Sequence, residues 1–164
     1  MASRDSHIVQ WKHNREFICT ISADYPDWIV TACFYVGVHA IDTLLAHDKI
    51  YPTSHDYRNE VLVKTNRYSL IYRAYNPLYT LSRTVRYFAN PKDWIRFQDL
   101  QPKVIERYLY PLEKSVQNLI GIDLGLPKIL LSQQAPFIQP QSKPAHPSHQ
   151  TPVDPNQPDM GKKL

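Results

Sequence analysis

Two histidines and one arginine within the first 60 residues have side chains suited to acid–base and phosphate chemistry. His39 lies in the most apolar stretch of the chain, where a histidine is costly without a hydrogen-bond partner, and Asp42 could orient it. His55 and Arg58 are three residues apart, so on a helix they face the same side. Because histidine transfers protons and arginine binds phosphate, we predict a catalytic site of His39, His55 and Arg58. The alternative is that His39 is a core histidine hydrogen-bonded to a neighbour.

A second group of candidates lies in a basic segment that is interleaved with tyrosines. Residues 1–63 carry five basic and eight acidic side chains, net −3, whereas residues 64–107 carry nine basic and three acidic ones, net +6. Arginines near aromatic rings are typical of surfaces that bind RNA or nucleotide phosphates. We therefore predict an RNA- or phosphate-binding surface that includes Lys64, Arg67, Arg83 and Arg86. The alternative is a solvated helix face whose tyrosines pack in the core.

Other chemistries find little support in the sequence. It has no His-Glu-x-x-His pair, no serine nucleophile elbow and no cysteine pair at metal-ligand spacing. Four glycines disfavour a glycine-rich phosphate loop or a dinucleotide-binding turn. Cys19 and Cys33 are expected to be small buried apolar residues, and His146 and His149 to be solvated. We expect no metal ion and no cofactor.

Helices are the elements that must position these residues, because no stretch alternates apolar and polar residues as a strand does. The second helix is apolar nearly all round, which predicts that it is central and buried. The third is long enough to break once, and prolines at positions 77 and 111 should kink the third and fourth helices. The fold class is therefore an all-α, up-and-down bundle of four to five helices, at residues 7–22, 26–47, 55–89 and 101–119.

The connection between the second and third helices decides whether the candidate residues meet. In an antiparallel hairpin, His55 and Arg58 would lie near the end of the second helix, beside Leu45 or His47. They reach His39 only if the loop lets the third helix run back past it. The sequence leaves both arrangements open.

Proline usage divides the chain into a helical domain, residues 1–131, and a disordered Pro- and Gln-rich tail, residues 132–164. Seven of the 14 prolines lie in that tail, where apolar residues are scattered. Such a segment buries too little surface to offset the entropy lost on ordering. Because there are two cysteines and no apolar signal segment, we expect a cytoplasmic protein. His39 and Asp42 interrupt the most apolar helix, so we expect no membrane span.

The same residues carry a resemblance to small prokaryotic HEPN-domain proteins, over about residues 7–120. It rests on the stretch YPDWIVTA from Tyr25 to Ala32, Phe34-Tyr35, His39, Ser54-His55, Arg58-Asn59 and the later Tyr79-x-x-Ser82-Arg83-x-x-Arg86-Tyr87. The resemblance implies a bundle of four to five helices, often a homodimer. It also implies one of several roles: an RNA-cleaving toxin or defence effector, a partner of a small nucleotidyltransferase antitoxin, or a non-catalytic binding or scaffold domain.

The chain departs from the Arg-x4–6-His motif of HEPN ribonucleases. Arg58-Asn59 begins like that motif, but Val63, Lys64 and Thr65 follow, and His55-x-x-Arg58 supplies the same residue types in reverse order. We expect an RNA- or nucleotide-binding protein, and metal-independent RNA cleavage is a hypothesis in which His39 or His55 is the acid or base. The alternative is a non-catalytic interaction or scaffold domain whose proline-rich tail recruits a partner.

Overall fold

The computed structural model describes residues 2–87 and 101–132 of the chain. These residues form five helices and the turns and loops that join them. These ranges contain no strand, and their one isolated bridge joins Ser22 to Ser132. The prediction of an all-α bundle is therefore confirmed, whereas the predicted tail after Ser132 lies outside the described residues. The helices are α1 (Arg4–Thr20), α2 (Pro26–His47), α3 (His55–Lys64), α4 (Ser69–Arg86) and α5, which consists of Gln101–Val104, a π turn at Ile105–Leu109, and Tyr110–Ile120.

Helix α2 is the centre of the bundle because it is apolar on every side. Pro26 occupies its first turn, where the missing N–H has no helical partner to lose. Of its 22 residues 17 are buried, so other helices cover most of its surface. Gly37 faces Leu78 of α4 and Leu112 of α5, which lie 3.4 Å and 3.5 Å from the position that a Cβ would take, at ordinary van der Waals distance. Among the described residues α2 is the one helix long and apolar enough to cross a membrane. However, 89% of its most apolar 18-residue window is buried inside the bundle.

The long third helix of the sequence prediction is two helices, α3 and α4. The break falls at Thr65, whose backbone is extended, and a 3-10 turn at Asn66–Tyr68 follows. This turn directs Tyr68 inward, where its hydroxyl donates to Asp48 at the end of α2. Helix α4 then continues through Pro77 without a break, so the chain reverses at Thr65 and not at the proline.

The kink predicted at Pro111 takes the form of the π turn in α5. Proline has no N–H, and its ring crowds the carbonyl four residues earlier, which here belongs to Arg107. A π turn at Ile105–Leu109 widens the helix at this point. The helix then continues to Ile120 and ends at Gly121, which takes the left-handed conformation (φ 68°) that suits glycine.

A second constraint on the bundle is a buried ion pair between α1 and α5. Arg15 and Glu113 are 5% and 3% exposed, and Arg15 Nη1 lies 3.2 Å from Glu113 Oε2. Trp11 Nε1 donates to the same carboxylate at 2.7 Å, and Arg15 also donates to the carbonyl of Pro127. Arg15 thereby ties the segment after α5 across α1. Burial raises the pKa of Glu113 to about 7, although Arg15 and Trp11 both favour its ionised form.

The raised pKa of Glu113 predicts a pH-dependent stability that Glu113→Gln removes. Between about pH 4.5 and 7 the folded protein binds more protons at this residue than the unfolded chain does. The free energy of unfolding should therefore fall as pH rises through this window, by an amount on the order of 3 kcal/mol. Urea unfolding of wild type and Glu113→Gln, at about pH 5 and about pH 8, measures this contribution.

The pKa values of His39 and His55 are lowered in the folded protein, so these two residues make the free energy of unfolding rise with pH. Comparison with Glu113→Gln is needed to separate their contribution from that of Glu113. Glu113→Gln should gain stability relative to wild type as pH rises. A difference between the two proteins that does not change with pH would contradict the prediction.

Candidate functional site

The candidate site is built around a buried ion pair between α2 and α3. Arg58 Nε donates to Asp42 Oδ1 at 2.7 Å, and Arg58 Nη2 donates to Asp42 Oδ2 at 2.9 Å. The two residues are 6% and 7% exposed. A carboxylate buried in an apolar helix needs such a partner, because the cost of desolvating it is high. The Tyr75 hydroxyl is buried beside Arg58, and burial raises its pKa to about 12, so the phenol stays neutral.

The connection at residues 48–54 runs back along α2 and brings α3 to this carboxylate. The ring of Phe34, on α2, lies 5.5 Å from that of His55 at the start of α3, and Arg58 then reaches Asp42 further along α2. Helix α3 therefore follows α2 in the same general direction. Of the two arrangements that the sequence left open, the structure has the one in which the third helix runs back past His39, and not the antiparallel hairpin.

Two local features produce this return of the chain. Lys49 takes the left-handed conformation (φ 65°) directly after the end of α2, and this reverses the chain. Ser54 then caps α3, because its hydroxyl accepts a hydrogen bond from the backbone N–H of Tyr57 at 3.1 Å. Serine and threonine are typical N-caps, and the sequence offers both Thr53 and Ser54 at this point, but it does not predict the left-handed residue.

Arg58 fixes the tautomer of His55. Arg58 Nη1 lies 2.9 Å from His55 Nδ1, and a guanidinium group has only donors, so Nδ1 must be the acceptor. A neutral His55 therefore carries its proton on Nε2. Burial, followed by the positive charges of Arg58 and Arg86, lowers the pKa of His55, which keeps the ring neutral at pH 7. The polar group that remains available on this ring is a hydrogen-bond donor.

His39 lies on the other side of the ion pair and contacts His7 of α1. The two Nδ1 atoms are 3.3 Å apart, and His39 is half-buried. Burial, followed by the charge of His7, lowers the pKa of His39. Potential ligand atoms of His7, His39 and Asp42 all lie within 4.8 Å of one another. Asp42 and Arg58 thus stand between His39 and His55, so the three predicted residues share one cluster without a direct contact between the histidines.

Sequence reasoning did not find His7. Its only sequence signal is its position at the start of a predicted helix. An antiparallel α1–α2 hairpin brings the first turn of α1 towards the second half of α2, but the pattern does not say which turns meet. The Arg15–Glu113 pair was also missed, because its members are 98 residues apart and lie on separate helices.

Two of the four predicted phosphate-binding residues, Arg83 and Arg86, lie in the last turn of α4, and Tyr79 of the same helix contacts the ring of His55. The Arg83 guanidinium is 5.6 Å from the centre of the Tyr79 ring, and this ring is 6.3 Å from that of His55. Arg86 donates to the Ser82 carbonyl at 2.9 Å, and its charge reaches His55. A shallow groove of about 540 Å³ runs along this face, lined by Tyr79, Thr80, Arg83, Thr84 and Tyr87.

The other two predicted residues, Lys64 and Arg67, lie at the opposite end of α3. Lys64 pairs with Glu60 on the surface of α3. Arg67 lies 3.0 Å from Asp48 and donates to the carbonyl of Leu119 at 3.3 Å. Lys64 thus pairs within its own helix and Arg67 contacts the ends of α2 and α5, and the structure does not bring either cation to His55.

Comparisons with known proteins do not assign the chain to a family. No family model matches it, and no curated protein and no solved structure is significantly similar to it. The resemblance to HEPN-domain proteins therefore stays a prediction. Any assignment of function has to rest on the geometry of the cluster itself.

The Asp42–Arg58 pair predicts strong coupling in a double-mutant cycle. Asp42→Leu or Arg58→Met alone leaves the other charge buried without its partner, which should cost about 3–5 kcal/mol of unfolding free energy. The double variant leaves neither charge, so it should cost far less than the sum of the two single variants. Urea unfolding of the four proteins measures the coupling.

The exposed pair of Glu60 and Lys64 provides a matched control on the same helix. Alanine substitutions there should show no measurable coupling, because solvent screens exposed charges. Additive costs for Asp42→Leu and Arg58→Met would mean that the buried pair does not hold α3 to α2.

Proposed function

We propose that this chain is a HEPN-like protein that binds phosphate groups of RNA or of a nucleotide on the face formed by the start of α3 and the end of α4. The observation that carries the proposal is the neutral His55, which has an N–H donor and whose ring contacts Tyr79. The Arg83 guanidinium lies over the same Tyr79 ring, and the charge of Arg86 reaches His55. A phosphate is recognised by such a combination of donors and cations. Tyr79 adds an aromatic ring for base stacking beside them.

Arg58 acts in this proposal as a positioning residue. It is 6% exposed, and its guanidinium group is held by Asp42 and His55. It therefore orients His55 and keeps the ring neutral, and it does not reach out to a phosphate. Phosphate binding, which the sequence suggested for Arg58 as well as for Arg83 and Arg86, is thus assigned to the two exposed arginines alone. The buried Arg58 orients His55.

Binding is better supported than cleavage. A base that removes the 2′-hydroxyl proton of RNA needs a free lone pair, and Nδ1 of His55 is already the acceptor from Arg58. The Nδ1 of His39 lies against His7, on the far side of the ion pair. The acceptor nitrogen of His55 is therefore occupied, and His39 lies across the Asp42–Arg58 pair from His55 and the arginines of α4.

A non-catalytic interaction domain is the second candidate function. Trp28 and Tyr35 are 58% and 40% exposed although they belong to the most buried helix. They are seven residues apart and so lie on the same side of α2. This aromatic pair would suit contact with a second copy of the chain or with an antitoxin of the nucleotidyltransferase type. It requires no RNA, so RNA affinity separates the two functions.

RNA affinity should depend on Arg83 and Arg86 and not on Lys64. We expect the affinity for a labelled single-stranded RNA to fall steeply with salt. Arg83→Gln and Arg86→Gln should each weaken binding and reduce the slope of log affinity against log salt by about 0.7. Fluorescence anisotropy over a salt series measures both quantities. Lys64→Gln is the matched control, because it removes the same charge from the far end of α3.

Two outcomes would count against the proposal. An equal loss in Lys64→Gln would mean that RNA follows the net charge of the protein and not this face. No measurable affinity at low salt would exclude RNA binding and leave the interaction domain.

We expect RNA to be bound without being cleaved, because Arg58 occupies the acceptor nitrogen of His55 and His39 lies across the ion pair from the arginines of α4. Purified protein incubated with labelled RNA in a chelator should leave the RNA intact on a denaturing gel. Cleavage by the wild type that disappears in His55→Ala or His39→Ala, with helicity unchanged in circular dichroism, would overturn this expectation. Arg58→Ala tests the positioning role, provided that it retains the same helicity.

A further inference from the structure

The contact between His7 and His39 has the dimensions of a metal site. Their Nδ1 atoms are 3.3 Å apart. Zinc binds imidazole nitrogens at about 2.0–2.1 Å, so two nitrogens of a tetrahedral site are about 3.4 Å apart. One proton between the two Nδ1 atoms would make a hydrogen bond at this distance. A zinc ion would fit between the same two atoms if the imidazole rings moved apart by about 0.1 Å.

Asp42 supplies a third ligand to this pair. A carboxylate oxygen of Asp42 lies within 4.8 Å of a ring nitrogen of each histidine. His39 and Asp42 are three residues apart on α2 and so project from the same side of the helix, towards the first turn of α1. Although both Asp42 oxygens accept hydrogen bonds from Arg58, each carboxylate oxygen has two lone pairs. Arg58 thus holds the carboxylate in orientation as an outer-sphere partner does in zinc proteins.

The surroundings leave room for a fourth ligand. A cleft of about 170 Å³ adjoins the cluster and is lined by Ala2, His7, Asp42 and the loop Ile50–Thr53. Zinc sites with three protein ligands and one open position are typical of catalysis, whereas structural zinc sites have four protein ligands. Since Arg58 already balances the charge of Asp42, a bound divalent ion would retain its positive charge and favour an anionic fourth ligand.

We propose that His7, His39 and Asp42 bind one Zn²⁺ ion, with its fourth position open to the cleft beside the α2–α3 loop. Two imidazoles and one carboxylate favour zinc over magnesium and calcium, which prefer oxygen ligands alone. The site lies across the Asp42–Arg58 pair from His55 and does not depend on RNA binding. It reverses the expectation from the sequence that the chain binds no metal.

Zinc titration of the full chain tests the proposal. After dialysis against a chelator and then buffer, calorimetry with zinc chloride should show one Zn²⁺ per chain. His7→Ala should lower the affinity by at least about 100-fold, because changing even an outer-sphere partner costs about 10–100-fold. His13→Ala, which removes an exposed histidine from the same helix, should bind zinc as the wild type does. Cobalt bound to the wild type should show the intense visible absorption of four-coordinate geometry, which His7→Ala should lose.

A second variant, His7→Gln, guards against misfolding. Its amide can still donate to His39 but is a poor zinc ligand, so it should remain folded by circular dichroism and lose zinc affinity. No zinc binding by the wild type overturns the proposal. Retention of stoichiometric zinc by folded His7→Gln also overturns it and would place the ion elsewhere, for example at His146 and His149. Arg83→Gln should keep full zinc affinity, which separates this result from the test of RNA binding.

Discussion

The carboxylate of Asp42 lies within the most apolar helix of the chain, and the path of the following 16 residues depends on its need for a partner. A buried carboxylate without a counter-charge would be protonated or would destabilise the fold. Arg58 meets this need with two hydrogen bonds, but it can do so only if the loop at residues 48–54 returns along α2. The ion pair therefore joins α3 to α2, and the ring contact between His55 and Phe34 adds to it.

The same ion pair supports two different surfaces of the protein. On one side, Arg58 sets the tautomer of His55 and keeps its ring neutral, next to the arginines of α4. On the other side, Asp42 lies against His39 and His7, beside a cleft under the α2–α3 loop. A bidentate pair has little rotational freedom, so both surfaces are pre-organised by one interaction. The two sites are thus linked through Asp42 and Arg58, although they use different chemistry.

Those features that depend on local sequence could be predicted, and those that depend on contacts between distant residues could not. The bounds of α2 follow from its apolar stretch and from Pro26, and the cap at Ser54 follows from its position before a helix. The break at Thr65 was not located, because it depends on Tyr68 reaching Asp48 on another helix. The sequence does not show which residues His7 and Glu113 contact, since their partners His39 and Arg15 are distant in the chain.

The charge distribution shows why a count along the sequence cannot by itself locate a binding surface. The segment 64–107 is strongly basic, yet its first two cations are paired, Lys64 with Glu60 and Arg67 with Asp48. Among the described residues, no carboxylate forms an ion pair with Arg83 or Arg86; Arg83 contacts an aromatic ring and Arg86 a backbone carbonyl. A phosphate gains most from cations whose charge is not already neutralised. In the proposed function, the pairing of the basic residues, more than their number, is therefore the reason for placing the phosphate at the end of α4.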